Sequence, residues 1–453
     1  MKILFIVPTS LNRKQMYMEY PLGVGYICTY LKKAGYDTLI LDQNAECFED
    51  IDVLKYVENY RPDLIAFSIM TPCYPRTKIQ VNEIKRNFPN IPIVAGGIHV
   101  SLFKQDLFID KFDALIIGEG EFEFQKFCLI FGKYGSLLRT QKILTNPLSR
   151  FPILNNFPNS DESSIIFYEL ILDRTVFNLK LYKHHSVMAA RGCPYRCKFC
   201  CNYKNIDRMT RVRSVNSVID ELKILENNFN AKHVFFADDI FFTNKKNIVR
   251  FCHEYKKARL TCTWIAQLRV NNVDNFTLNL MKDSGCEKIC LGIESGSQEI
   301  LDATNKKITI AQIKSSISAI KKVGIRVKTF WILGLPGSYD EQLKSLSLMM
   351  ETKPNEISIH LLIPFPGTDY YENSEKYGIH IHDKNNFESF CYGGTNPNFT
   401  FDYLKENEIH ELFRIFSKNL EKIGYVSSDI ATSSSQYVYS TPESFMSMRV
   451  FNN

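Results

Sequence analysis

Two series of short apolar runs, each run followed by a segment of helical periodicity, constrain this chain more than any other feature. Strands that alternate with helices form βαβ units and build parallel sheets. The first series fills residues 1 to about 135. KILFIVP (Lys2 to Pro8) is continuously apolar, as a strand buried on both faces requires. DTLILD (Asp37 to Asp42), DLIAFSIM (Asp63 to Met70), IPIVAGG (Ile91 to Gly97) and ALIIGEGE (Ala114 to Glu121) continue it. Pro21 opens a helix with Leu22, Val24, Ile27 and Leu31 near one face, and Gly35 is placed to end it. The series predicts a doubly wound, Rossmann-like parallel sheet. Such sheets bind ligands beyond the carboxyl ends of their strands, where this chain puts small residues: Ser68 to Thr71, Gly96-Gly97 and Gly118 to Gly120.

Residues 136–185 break the rhythm with prolines and polar residues and read as a linker with turns. A second series then begins at HHSVMAA (His184 to Ala190). It continues through HVFFAD (His233 to Asp238), CTWIAQ (Cys262 to Gln267), KICLGIE (Lys288 to Glu294), KTFWILG (Lys328 to Gly334) and EISIHLLI (Glu356 to Ile363). Six βα units over 186–374 predict a partial (β/α)6 barrel of the TIM type, because the length is too short for eight. Residues 375–453 predict a small, mainly helical extension, with an amphipathic helix ending at Gly424 and a Ser-rich flexible tail.

Composition narrows the class. With 45% apolar and 23% charged residues the chain is of globular type. No apolar run approaches the roughly 18 residues of a membrane helix, so no membrane span is expected. MKILFIVPTS reads as a buried strand and not as a secretory signal. A net charge of +6 spread over 453 residues gives no basic stripe, so no nucleic acid is expected. The nearest candidate, Arg208 to Arg213, reads as a solvated face. The 13 cysteines are odd in number and irregularly spaced, which indicates reduced thiols and a cytoplasmic setting.

Four cysteines fall within nine residues, in ARGCPYRCKFCC. Cys193, Cys197 and Cys200 follow a predicted strand at C-x3-C-x2-C spacing. Iron–sulfur clusters normally take four cysteines, and three would leave one iron open to another molecule. Gly192 and Pro194 shape the loop, and Arg191, Arg196 and Lys198 are expected to favour thiolate. Zinc is the alternative, but a zinc site wants a second Cys or His pair, and His233 and Cys252 are isolated. Cys201 has no matching role.

With these pieces in order, residues 186 to about 370 resemble the radical S-adenosylmethionine (SAM) enzymes. The resemblance implies a [4Fe-4S] cluster on the three cysteines, its open iron chelating SAM. Phe199 would pack the adenine. Asp238 or Asp239, in FFADDIFF, would lie near the SAM amino group. Gln267 and Arg269, in QLRV, would lie at the third strand end, with Arg269 near the carboxylate. Glu294, in GIESGS, would meet the ribose hydroxyls. WILGLPG (Trp331 to Gly337) and PFPGTDYY (Pro364 to Tyr371) are typical of the same branch. The residue-level alternatives are a helix cap for Glu294, a pair with Asp274 for Arg269 and an N-cap for Asp238-Asp239. The implied chemistry is reductive cleavage of SAM to a 5′-deoxyadenosyl radical that abstracts hydrogen from an unactivated carbon.

The first series resembles the cobalamin-binding domains fused to one branch of these enzymes. PLGVGYICTYLKKAGYDTLILD, AFSIMT, VAGGIHVS and IIGEGE carry that resemblance. It implies that Ser68, Thr71, Gly96, Gly97, Gly118, Glu119 and Gly120 border cobalamin. No D-x-H-x-x-G motif is present, and His99 suits a tail or loop contact better than cobalt ligation. The implied activity is C-methylation of an unactivated carbon in a small-molecule or peptide substrate, with an external flavodoxin- or ferredoxin-type electron donor. A non-methylating cyclisation or rearrangement is the enzymic alternative, and a zinc-dependent nucleic-acid-binding module the other. No residue announces the substrate; Tyr370, Tyr371, Tyr392, Gly393 and Gly394 either face it or pack.

Overall fold

The computed structural model describes residues 1–11, 20–45, 52–104, 107, 111–140, 154–156, 169–182, 184–201, 210–272, 274–391, 398–427, 436–441 and 444, with backbone alone at 133–140, 154–156, 272 and 436–437. Arg208, Tyr392, Gly393, Gly394 and most of the Ser-rich tail lie outside the described residues. The chain divides into two compact units, Met1–Lys183 and His184–Asn453, apart from a short stretch at 205–207.

The first unit is a parallel sheet. Its strands are β1 (Lys2–Val7), β2 (Asp37–Asp42), β3 (Leu64–Ser68), β4 (Ile93–Gly96), β5 (Ala114–Gly118) and β6 (Leu154–Asn156), in the order β2-β1-β3-β4-β5-β6. The sheet is doubly wound, as expected. Ile3 to Ile6 are almost fully buried, which is why the run carries no polar residue. The helix Leu22–Lys33 buries Leu22, Val24, Cys28 and Leu31, and Gly35 follows at φ +85°. β6 lies in the stretch read as a linker. Residues 170–182 pack on this unit too: Phe177 stacks on Tyr20 at 4.8 Å, and Tyr182 donates to Asp42 Oδ2 at 2.7 Å.

The second unit holds β7 (His185–Val187), β8 (Ala190–Arg191), β9 (Arg211–Val212), β10 (His233–Phe236), β11 (Thr263–Leu268), β12 (Cys286–Glu294), β13 (Arg326–Leu333) and β14 (Glu356–Leu361). β7 and β10 to β14 are the six expected parallel strands, side by side in chain order. β8 and β9 form a separate antiparallel ribbon. Strand faces alternate in burial. On β13 Val327, Thr329, Trp331 and Leu333 are buried, whereas Lys328, Phe330 and Ile332 are half-buried. Val327, Trp331 and Leu333 share one core with Ile313, Ile317, Leu346 and Met349 of the covering helices, so the half-buried face is the inner face of the barrel.

The extension adds strands to the helix expected there. β15 (Ile379–Ile381) and β16 (Phe399–Phe401) form a hairpin. The helix Glu406–Lys422 buries Leu412, Phe413, Phe416 and Leu420. β17 (Val426–Ser427) pairs with β18 (Gln436–Ser440), which runs antiparallel along β14. QYVYS alternates over too few residues to stand out beside a Ser-rich run.

Candidate active site

The cysteine loop leaves β8 through Gly192 at φ +86°. The Cys200 N–H donates to the Cys197 carbonyl at 3.0 Å, which makes a tight turn. Three further bonds tie the loop to the barrel. The Lys198 N–H donates to the Thr304 carbonyl at 3.0 Å, Asn305 Nδ2 donates to the Arg196 carbonyl at 2.8 Å, and the Tyr370 N–H donates to the Lys198 carbonyl at 3.3 Å.

Around this loop the structure gathers residues from separate strand ends. Arg269, just past β11, is buried; it lies 3.5 Å from the centre of the Tyr195 ring and donates to the Lys306 carbonyl. Its Nη1 stands 3.9 Å from Cys197 Sγ. Glu294 closes β12 at φ +73°, a conformation a non-glycine residue holds only where its surroundings enforce it. Its Oε1 accepts from Lys306 Nζ at 2.7 Å. Lys306 Nζ in turn lies 5.6 Å from the centre of the Phe199 ring. Gly292 makes room for this pair, because a Cβ would strike the Glu294 carboxylate and come within 2.9 Å of Lys306 Nζ, displacing both side chains. Cys197, Phe199, Arg269 and Glu294 therefore meet around Lys306.

The other expected residues divide. Asp238 is buried, and its Oδ1 accepts from the Ala189 and Ala190 amides at 2.7 and 2.8 Å. Its Oδ2 is buried without a hydrogen bond, and burial above all pushes its carboxyl up to about 8. It anchors the backbone entering the cysteine loop and caps no helix. Asp239 is exposed, and its charge acts on Cys193 and Cys201. Gln267 is half-buried, and its carbonyl accepts from the Phe241 amide at 2.9 Å. Arg269 is not paired with Asp274, which instead caps the helix Asn275–Asp283 and holds Lys245 at 2.9 Å.

Two expectations need correction. Burial is the main influence on Cys193 and raises its thiol, against the expected shift, and a cation not expected there, Arg269, acts to lower it. Lys198 Nζ sits 4.9 Å from the centre of the Tyr377 ring. The described part of the stretch read as a solvated face, residues 210–213, is not one. Arg211 and Arg213 are buried, and Arg213 pairs with buried Glu221 at 2.5 Å because it bridges β9 to the helix Val215–Phe229.

Sequence reasoning missed Lys306 and Tyr195. Tyr195 was visible as an aromatic inside the cysteine loop. Lys306 lies in the polar stretch TNKK and carries no local signal.

In the first unit, Ser68 ends β3 half-buried beside Gly96 of β4. Thr71 is buried and opens a short turn. Gly97 sits at φ +97°, and a Cβ there would lie 2.7 Å from the Ile69 backbone nitrogen and oxygen. A Cβ on Gly120 would lie 2.7 Å from the Cδ1 tip of Ile27, a side chain that can give way, so packing within the unit requires glycine at 97 and favours it at 120. Gly118 is exposed at φ +80°, and its N–H donates to Ser101 Oγ at 3.0 Å. Glu119 is half-buried. His99 is fully buried between Tyr74 and Phe103, with ring centres at 4.1 and 4.5 Å, and burial drives it down to about 3. It packs as an aromatic core residue.

Residues 187–349 match the radical SAM superfamily, and residues 11–127 match the B12 binding domain. The chain is a B12-binding radical SAM enzyme. It is 29% identical to an uncharacterised methyltransferase of Pyrococcus horikoshii over 392 residues, covering 82% of this chain and 83% of the relative. It is 25% identical to an anaerobic magnesium-protoporphyrin IX monomethyl ester cyclase of Rubrivivax gelatinosus, covering 81% of the enzyme and 68% of the relative. In fold it resembles the radical SAM methyltransferase TsrM of Kitasatospora setae, solved with cobalamin and a [4Fe-4S] cluster bound. That likeness has a TM-score of 0.68 at 17% identity and covers 84% of this chain and 80% of the other.

The enzyme's cofactors are accordingly the [4Fe-4S] cluster, SAM and cobalamin. The donors on the cysteine loop fit a cluster: three reduced thiols on one tied loop, with the buried Arg269 guanidinium beside them. Among the described residues no three His, Cys, Asp or Glu side chains converge on a single ion; a cubane instead takes each thiolate on a different iron. At the strand ends of the first unit, Ser10 Oγ and Gln43 Oε1 are buried without hydrogen bonds, polar groups of the sort a bound ligand satisfies. Among the described residues no helix is long and apolar enough to cross a membrane.

Proposed function

We propose that the enzyme is a cobalamin-dependent C-methyltransferase acting on an unactivated carbon. The observation that carries this reading is the convergence of Cys197, Phe199, Arg269 and Glu294 at the carboxyl ends of the barrel strands, in a chain that also holds a B12-binding sheet. When bound, the cluster with SAM supplies a hydrogen-abstracting carbon radical, and cobalamin supplies the methyl group.

The chain's own residues hold and orient. Cys193, Cys197 and Cys200 ligate the cluster. Phe199 offers its ring to the adenine, and Glu294 its carboxylate to the ribose hydroxyls. Arg269 adds a fixed positive charge beside Cys197 and suits the SAM carboxylate. Gln267 and Asp239 line the neighbouring strand ends, Asp239 near the SAM amino group, while Asp238 fixes the loop's entry. Ser68, Thr71, Gly96, Gly97, Gly118, Glu119 and Gly120 border the cobalamin crevice, Gly97 by permitting close backbone packing. The domains in this reading are 1–135 for cobalamin, 136–185 as connection, 186–374 for the barrel and 375–453 as extension. A flavodoxin- or ferredoxin-type protein in the cytoplasm delivers the electron.

Likeness to the Rubrivivax cyclase supports a second reading, a non-methylating ring closure. Anaerobically reconstituted enzyme incubated with SAM, reductant, methylcobalamin and cell extract separates the two. Methylation consumes two SAM per product, releases S-adenosylhomocysteine with 5′-deoxyadenosine and adds a CH2 unit. A cyclisation yields 5′-deoxyadenosine without S-adenosylhomocysteine, and failure to form 5′-deoxyadenosine excludes both.

A further inference from the structure

Among the described residues, the inner face of strands β12 to β14 carries more positive than negative charge. On it Glu356 is held by Lys288 Nζ at 3.0 Å and faces Arg326 Nη1 at 3.9 Å, while Glu287 takes Arg326 Nη2 at 3.0 Å. Both carboxylates are thereby committed. Lys328 lies on the same face, since its Cα pairs in register with Glu356 on one side and Cys290 on the other. Three cations thus stand against two carboxylates, and among the described residues Lys328 has no carboxylate partner. Its ammonium lies instead 5.2 Å from the centre of the Phe330 ring. A half-buried cation without a counter-charge is costly to hold, and it is a ready receptor for an anion.

The surroundings suit a ligand with a flat or apolar body. Phe330 is the next inward residue along β13, and His360 of β14 lies with its ring centre 6.4 Å from that of Phe330. His360 Nε2 lies 2.9 Å from Ser358 Oγ, and burial first, then the Lys328 charge, keeps its ring down to about 4, hence neutral. Phe330 pairs in register with Gly292, whose missing side chain leaves room for the Glu294–Lys306 pair. The cation therefore lies one strand over from Glu294 and deeper in the barrel.

We propose that Lys328, with Phe330 and His360 beside it, anchors an oxyanion of the substrate, a carboxylate or phosphate ester on a planar or apolar body. This rests on the methyltransferase reading for what happens at the other end: anchoring the anion deep in the barrel leaves the remote carbon at the strand ends, near Glu294.

The test is 19F NMR on the full reconstituted chain with three probes: 4-fluorobenzoate, 4-fluorophenyl phosphate and neutral 4-fluorobenzamide. The expected result is binding of one or both anions and at least tenfold weaker binding of the amide. Whichever anion binds identifies the oxyanion, carboxylate or phosphate. Lys328→Met is expected to weaken anion binding at least tenfold, and Lys328→Arg to restore most of it. The wild-type comparison of probes needs no variant, so it decides even if Lys328→Met fails to fold. Absence of binding by both anions, equal binding of the amide, or anion binding unchanged in folded Lys328→Met overturns the proposal. Formation of 5′-deoxyadenosine by the wild type without probe is read separately; its failure would remove the methyltransferase reading and leave the anion site standing.

Discussion

Lys306 Nζ holds Glu294 Oε1 at 2.7 Å, and both side chains are more than nine-tenths buried. The pair fixes a carboxylate on a backbone at φ +73°, and the same lysine faces Phe199 and lends its carbonyl to Arg269. One side chain thus ties the end of β12 to the cysteine loop.

Removing one partner leaves a buried charge without compensation, which costs about 3–5 kcal/mol. Lys306→Met is expected to lower unfolding stability by about that much in urea titrations and to weaken SAM binding at least tenfold in equilibrium dialysis. Adding Glu294→Gln to it is expected to recover most of the stability and none of the SAM affinity. Full stability in Lys306→Met alone contradicts the pairing.

Cys193→Ala, Cys197→Ala and Cys200→Ala are each expected to lose the visible iron–sulfur absorbance and most bound iron and sulfide. Cys201→Ala is expected to keep them, since burial raises that thiol to about 11. Iron and sulfide analysis after anaerobic reconstitution checks all four. Loss of the cluster in Cys201→Ala, with a Cys193 variant unaffected, would reassign the ligands.

The barrel was legible because its six strands are apolar runs set apart by helical patterns, and five of the runs end in a small or polar residue. β12, for example, reads KICLGIE and stops at Glu294. The cysteine loop was legible because its chemistry is local: three thiols within eight residues. The Glu294–Lys306 pair was not, because Lys306 reaches it only through the fold of TNKK after the helix Gln298–Ala303. β6 and β18 were hidden for a different reason. Each is a short strand added beyond the main run of its sheet, where a few residues suffice and the flanks are polar. Asp238 reads as a ligand residue in sequence, and only the structure shows its Oδ1 spent on two backbone amides.

Asp238 also sets a pH dependence. Its carboxyl titrates at about 8 when folded and near the usual carboxylate value when unfolded. Between those values the folded state holds the extra proton, so this group's contribution to stability falls as pH rises from about 4 to 8. Asp238→Asn keeps the acceptor for Ala189 and Ala190 and removes the titration. Thermal unfolding at pH 5, 6, 7 and 8 is expected to show the wild type losing stability relative to Asp238→Asn as pH rises. A constant difference across that range would refute this.

Gly97→Ala forces a Cβ to 2.7 Å from the Ile69 backbone at φ +97°. It is expected to cost about 1–3 kcal/mol and to lower cobalamin retention on gel filtration. A Cβ at Gly96 meets its nearest atom, the Ile116 carbonyl oxygen, at 3.6 Å, so Gly96→Ala is expected to cost under about 1 kcal/mol. Equal losses in the two would contradict the close crossing.

The central claim is that three thiols hold a cubane with one iron left for SAM. Mössbauer spectra of the 57Fe-reconstituted wild-type enzyme, recorded with and without SAM, test it most directly. The account predicts a [4Fe-4S] signal in which SAM changes the isomer shift and quadrupole splitting of one iron in four. A fully loaded cluster whose irons all ignore saturating SAM, or no cubane at all once iron and sulfide are supplied, would contradict it.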